Sequence, residues 1–466
     1  MPAVPPKTAP PLRRRMLYPV GGVLLLALAV GVIWGPRFLA RLALWQGENA
    51  VRSHDWRSAE LWFARACSFH SLGGESAFAW ARLNRRLGRF DVMSEALQDA
   101  ADAGTAPQTI EREVWLAEAQ SGRMQNLDAR LGDLLIAGED LPAICEAYVL
   151  GCLLNYRLDD ALRLLDLWQA DFPDDPQPHY LRGRLTEHSA DFEGAADEYR
   201  QAIRLAPGHG AAAFNLGRAL VALQKPEDAL QAYEQATPLL CDLQPGLVGQ
   251  AHCLRLLGRI DDARERLDAA LDSPEQDIEL AWRLAGEPVD SAPSRVAAEY
   301  GHVELAAENY PAAEDWLRKA LNADPFAWRT RYSLATALRQ QGKTDEAAKQ
   351  IQRVEATKQA LEECDRMIVG LRRQPADVEA RFTIGKTFLQ HVSPKQGVIW
   401  LRSVLDLDPD HQATHRLLAD YYESHREENP EFAELAARHR QQIRPDEAPD
   451  DVTVENGTGK DGTDDE

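Results

Sequence analysis

The chain has 466 residues, 45% of them hydrophobic and 27% charged, with a formal net charge of −21. That length exceeds a single ordinary core, so several domains or a repeat array are expected. Charge is unevenly placed: residues 1–41 carry +6 (Lys7, Arg13, Arg14, Arg15, Arg37, Arg41), residues 446–466 carry −8, and the body between them carries −19, which argues against general binding to DNA or RNA.

In chain order, residues 1–15 are a Pro-rich, unstructured lead. Residues 16–36, "MLYPVGGVLLLALAVGVIWGP", hold no charge. As a helix they would run about 31 Å, the thickness of a hydrocarbon core, with Tyr18 and Trp34 near the two interfaces. This predicts a transmembrane helix, in contact with the lipid bilayer. Lys7 and Arg13–Arg15 before it, against Arg37 and Arg41 after it, favour a cytoplasmic N-terminus and an exported remainder, periplasmic in a bacterium. A cleaved signal peptide is the alternative. Its small-x-small "ALA", at Ala27–Ala29, falls inside the apolar run and is poorly placed for cleavage.

From residue 37 to 277 the chain repeats every 34 residues. Counting Pro176 as position 1, position 8 is Gly183, position 20 Ala195, position 24 Tyr199 and position 27 Ala202. One step forward gives Gly217, Ala229, Tyr233 and Ala236; the earliest unit gives Gly47, Ala59, Phe63 and Ala66. Seven units run without insertion. The register then slips by 16 residues at 278–293, resumes over 294–361 with Gly301, Ala313, Leu317 and Ala320, slips again at 362–377, and closes over 378–443 with Gly385, Gly397, Leu401 and Val404. A Cβ larger than that of Ala at positions 8, 20 or 27 would separate helices that cross at close-packing distance.

This period, clearest in Pro176–Gln244, "ENYPAAEDWLRKALNADP" and "QGKTDEAAKQIQRV", resembles the tetratricopeptide repeat family. The resemblance implies an all-α solenoid of antiparallel helix pairs, here behind one transmembrane helix. For the unit at Pro176 it implies a first helix near His179–Ser189 and a second near Phe192–Leu205. The insert 278–293, with "EPVDSAP", reads as a Pro-bearing loop after an extra helical turn or two. The insert 362–377 lengthens the preceding helix into a rod from about Asp345 to Arg373, roughly 43 Å long. Residues 444–466 form an acidic, disordered tail in which "NGT" at Asn456 fits a glycosylation acceptor.

Cys145 and Cys152 lie seven apart on one expected helix, too distant for a disulfide. "DHQATH" spaces His411 and His415 as in a zinc helix but lacks its Glu and a third ligand, so no metal site is assigned. "GHGAAA", Gly208–Ala213, follows a helix and reads as a turn between units, not a phosphate loop. No catalytic motif and no cofactor are expected, and the chain is read as a non-enzyme.

The family's first helices line a concave face through positions 2, 5, 6, 9, 12 and 13. On that face the resemblance places Arg184, Arg218, His252 and His302 in one row, beside Tyr180, Phe214 and Asn215. These seven form the candidate groove for an extended peptide carrying acidic groups or a C-terminal carboxylate, held by paired Arg hydrogen bonds and aromatic contacts. The family's carboxylate clamp is matched only at Asn215. The expected function is a membrane-anchored protein-interaction scaffold for an envelope complex. The alternatives are a cytoplasm-facing adaptor for chaperones or transported chains, and a subunit of an enzyme complex.

Overall fold

The computed structural model describes residues 36–69, 72–123, 127–137, 140–273, 278–286, 292–371, 373–427 and 429–444. The expected lead, the uncharged run up to residue 35, the tail from 445 and the Asn456 acceptor lie outside them. The described chain contains helices and no strand, and none of its helices is long and apolar enough to cross a membrane. It divides between Val354 and Glu355 into two compact units.

The first unit begins with α1 (36–52), α2 (Trp56–Ser68), α3 (Gly74–Arg86), α4 (Phe90–Asp102), α5 (Pro107–Gln120), α6 (Leu127–Ala137), α7 (Leu141–Leu154) and α8 (Leu158–Asp171). It continues with α9 (Gln177–Glu187), α10 (Phe192–Leu205), α11 (Gly210–Ala222), α12 (Pro226–Ala236), α13 (Gln244–Leu256), α14 (Ile260–Leu271), α15 (Ile278–Leu284), α16 (Ala292–Ala306), α17 (Tyr310–Ala323) and α18 (Trp328–Gln340). The unit boundary falls inside α19 (Thr344–Leu371). The second unit adds α20 (Val378–His391), α21 (Pro394–Leu407), α22 (Gln412–Ser424) and α23 (Glu431–Gln441). At 28 residues α19 extends about 42 Å.

Backbone geometry carries the repeat more regularly than side-chain identity does. A left-handed residue ends the first helix of a pair at His54, Gly88, Gly122, Tyr156, Ala190, Gln224 and Gly258, then at Glu308 and Gly342. Seven of these are spaced by 34, and Gly258 to Glu308 adds the 16-residue step. At each the next amide reaches back to a carbonyl five residues earlier, as Arg89 N to Asn84 O at 2.8 Å and Asp191 N to Thr186 O at 3.2 Å. That closure satisfies the free carbonyls of the helix end. Asp191 then caps α10, accepting from the Gly194 amide at 2.9 Å.

Small residues stand where the helices meet. A Cβ at Gly183 would lie 2.6 Å from the Tyr199 ring, and one at Gly217 2.9 Å from Tyr233. Gly47 meets Phe63 in the same way, Gly301 meets Leu317, and Gly385 meets Leu401. In these five pairs position 8 is therefore the seat of the pair's own position 24. Ala59, Ala195, Ala229, Ala263 and Ala313 are all fully buried. All six cysteines are free, and Cys145 and Cys152 are buried together on α7.

The candidate peptide groove

The side of α9, α11 and α13 that carries Tyr180, Phe214 and Asn215 is occupied by the chain itself. The extra helical turns expected at the start of the insert are α15, running into Ala285 and Gly286, and they sit against these helices; of the Pro-bearing stretch after them, 287–291 lie outside the described residues, and Ala292 and Pro293 open α16. Trp282 is 1% exposed; its Nε1 donates to Gln244 Oε1 at 2.8 Å, and its ring meets Phe214 edge-on at 6.4 Å. Asn215 Nδ2 donates to Ala285 O at 3.0 Å and to Ala211 O at 2.8 Å. Gly286 lies against Tyr180 and Arg184: a Cβ built there would be 3.6 Å from the Tyr180 hydroxyl and 3.5 Å from the Arg184 guanidinium carbon. On its other side, Arg283 Nη1 donates to Gly88 O at 2.6 Å and Leu87 O at 3.2 Å. Leu280 and Ala281 join a cluster with Ala50, Ala59, Phe63, Leu83, Leu87 and Cys241.

The seven expected groove residues are thus brought together in part. Tyr180, Phe214 and Asn215 are buried, not open to a ligand. Burial pushes the Tyr180 phenol above its ordinary value, against the nearby charges of Arg184 and Arg218, and Arg184 is hydrogen-bonded to it. Arg218 forms an ion pair with Glu187. His252 and His302 both approach Glu299, with His252 Nδ1 at 3.0 Å and His302 Nδ1 at 3.5 Å from Oε2, while Arg255 Nε donates to Oε1 at 2.7 Å. Burial alone would raise the Glu299 carboxyl. The His252 hydrogen bond, the nearby His302 ring and the Arg255 charge outweigh it and hold the group well below the usual carboxylate range.

The expected cation row is therefore two separate networks. The signal that could have revealed the occupant was in the insert: "IELAWRLAG", Ile278–Gly286, carries apolar or small residues around most of its circumference, which marks a helix buried on all sides.

The corresponding face is open on α18. Arg329, Tyr332 and Arg339 are exposed, Tyr332 by 52%, with Thr336 half-buried between them. These stand at positions 2, 5, 12 and 9 of their unit. The Arg329 guanidinium lies over the Trp328 ring at 4.6 Å, which fixes one cation beside an aromatic surface.

The histidines of "DHQATH" have structural places. His411 caps α22 by accepting from the Thr414 amide. His415 Nδ1 meets His439 Nδ1 at 2.9 Å, and its Nε2 donates to Pro409 O at 2.9 Å. In "GHGAAA", His209 caps α11 in the same manner, accepting from the Ala212 amide.

A tetratricopeptide repeat family model matches residues 180–246 and 300–360. A Dictyostelium discoideum protein named "Protein STIP1 homolog" is 32% identical over 102 residues, 22% of this chain and 18% of that protein. The chain spans under a fifth of the length of this relative. Among solved structures, PilW, a type IV pilus biogenesis factor, is similar at 13% identity over 47% of this chain and 94% of its own, with a TM-score of 0.39. YrrB, described as having an unusual peptide-binding site, is similar at 18% identity over 48% and 98%, with a TM-score of 0.25. Human IFIT1 is similar at 15% identity over 77% and 88%, with a TM-score of 0.40.

Proposed function

We propose that this chain, which carries tetratricopeptide repeats in an all-α array, is a membrane-anchored interaction scaffold that binds extended acidic peptide segments of partner proteins. The observation that carries the peptide reading is the exposed Arg329–Tyr332–Arg339 face of α18. It stands at the helix positions that α15 covers further up the array. Two exposed guanidiniums one helix face apart offer paired hydrogen bonds to carboxylates, and Tyr332 offers apolar area at low entropic cost. Anchoring is supported by the uncharged run 16–36 and its flanking arginines, and the charge bias supports display of the array outside the cytoplasm. The reading assigns no catalytic step to the chain.

Fluorescence anisotropy on the full chain tests the peptide reading, with labelled acidic peptides against basic peptides of equal length. Acidic probes should bind preferentially, and Arg329→Glu/Arg339→Glu should weaken them about tenfold or more, with a salt-dependent association rate. Equal binding by the double variant would overturn it. A reporter fused at the C-terminus tests orientation. Activity on the cytoplasmic side would favour the adaptor reading over an envelope scaffold.

A further inference from the structure

We propose that the outer face of α1 is a lipid-docking surface that lies on an anionic bilayer. The helix turns Ala40, Ala43, Gly47 and Ala50 inward. The opposite side presents Phe38, Leu42 and Trp45, spaced by four and three residues, at 68%, 40% and 54% exposure. A terminal element of a repeat array ordinarily turns a polar face outward, because no further repeat covers it. Here that face is apolar, and large exposed side chains gathered on one stripe mark a contact surface.

Three features say what covers it. Arg37 and Arg41 are exposed beside the stripe, and Arg52 is exposed beyond its far end, against Glu48 as the exposed acid of the helix. The surroundings of the stripe are therefore cationic within a strongly acidic protein. Trp and Phe flanked by Arg form the composition of a helix lying in the headgroup region, apolar side down. Finally, the uncharged run 16–36 ends one residue before Arg37. With that run in the bilayer, Trp45 sits no more than about 12 Å along the helix from the membrane exit, so the face is held at headgroup depth. This last point rests on the anchoring proposed above; the stripe and its arginines do not. Phosphatidylserine-type headgroups would meet Arg37 and Arg41, while Phe38, Leu42 and Trp45 would enter the acyl boundary.

The test uses the full chain in vesicles of phosphatidylcholine with or without phosphatidylserine. Trp45→Cys, in a Cys67→Ser background, carries an environment-sensitive fluorophore; Glu95→Cys, on the exposed side of α4, is the reference. At position 45 the label should be protected several-fold from aqueous iodide relative to position 95, and quenched by a nitroxide on the lipid headgroup. Both effects should weaken without phosphatidylserine and in Arg37→Glu/Arg41→Glu. A chain that survives carbonate washing on floated vesicles, with position 45 as open to iodide as position 95, would overturn the docking inference and leave the anchor standing. A chain washed off by carbonate, yet shielded at 45 when bound to phosphatidylserine vesicles, would overturn the anchor and support the docking surface. Shielding that persists in detergent and grows with protein concentration would assign the face to a second copy of the chain and overturn the proposal.

Discussion

Gly183 has no room for a methyl group. Its Cβ would overlap the Tyr199 ring, and Tyr199 is fully buried with its phenol raised by that burial, so the ring has nowhere to retreat. Gly183→Ala should therefore cost about 1–3 kcal/mol, as overpacking of a tight core does. Gly132, on the exposed side of α6, would meet nothing within 4 Å. There the same substitution removes only the helix penalty of glycine and should stabilise by about 0.5–1 kcal/mol. Urea unfolding of the two variants side by side checks the contrast in sign. Such positions were legible in the sequence because a small residue at a helix crossing recurs with the period. The left-handed turn residues were not, since His54, Tyr156, Ala190, Gln224 and Glu308 occupy the same backbone conformation as glycine. The helix-end hydrogen bonds hold them there despite a steric cost of about 1–2 kcal/mol each.

At the scale of elements, the place of α15 in the core was the least legible in the sequence. A helical turn or two was expected there, but a 16-residue slip in register says nothing about where those turns pack. The element became a core component because Trp282, Ala281 and Ala285 are apolar on sides that a surface helix would leave polar. The same fact explains why three of the seven expected groove residues are covered by the chain itself, while Arg184, Arg218, His252 and His302 stay half-buried. Tyr180, Phe214 and Asn215 do face inward, and what they face is Ala285, Gly286 and Trp282. Removing the indole leaves a large void and strands the Gln244 amide oxygen. Trp282→Ala should lower stability by about 3–5 kcal/mol. Ile136→Ala, at a side chain 86% exposed on α6, should stay within about 0.5 kcal/mol of the parent. Guanidinium midpoints give both values. Amide exchange should then rise around Leu87 and Gly88, the carbonyls that Arg283 holds, as well as in α11. Loss of protection in α11 alone would separate α15 from the N-terminal helices.

Across the first unit, contacts join repeats far apart in the chain, whereas an ordinary repeat array is stabilised by nearest neighbours alone. Arg283 reaches Leu87 and Gly88, and the ring of His54 stacks on that of His209 at 4.0 Å between centroids, 18° from parallel. The period was legible because most crossings carry a small residue of their own. This closure was not, because it depends on a rotation accumulated over several pairs that no single residue records. Burial, helped by the Arg86 charge, lowers His54 to about 3. Burial and the His54 neighbour hold His209 well below its ordinary value. His209 Nε2 is 3.2 Å from Gln177 Oε1 and Nδ1 accepts from the Ala212 amide, a pattern that requires the neutral ring. Both rings are neutral in the folded chain and titrate near 6.5 when unfolded, so acid protonates the unfolded chain first. Stability should be fully present above about pH 6.5 and fall as pH drops toward 3, with about 1.4 kcal/mol for each unit between the folded and unfolded values. The carboxylates Glu299, Glu304 and Glu314 lose stability in the same direction, but only at pH values near and below their ordinary 4.5. Between about pH 6.5 and 5 the slope belongs to histidines, among them His188, His391 and His439, which are also lowered by burial. His54→Asn tolerates the left-handed backbone and removes one stacked ring. In urea titrations across that window it should reduce the proton uptake on unfolding by up to about one, with His209 keeping its own share. An unchanged slope would mean that the stack does not hold His54 neutral, and that the tie between the first helices and α11 is insensitive to acid.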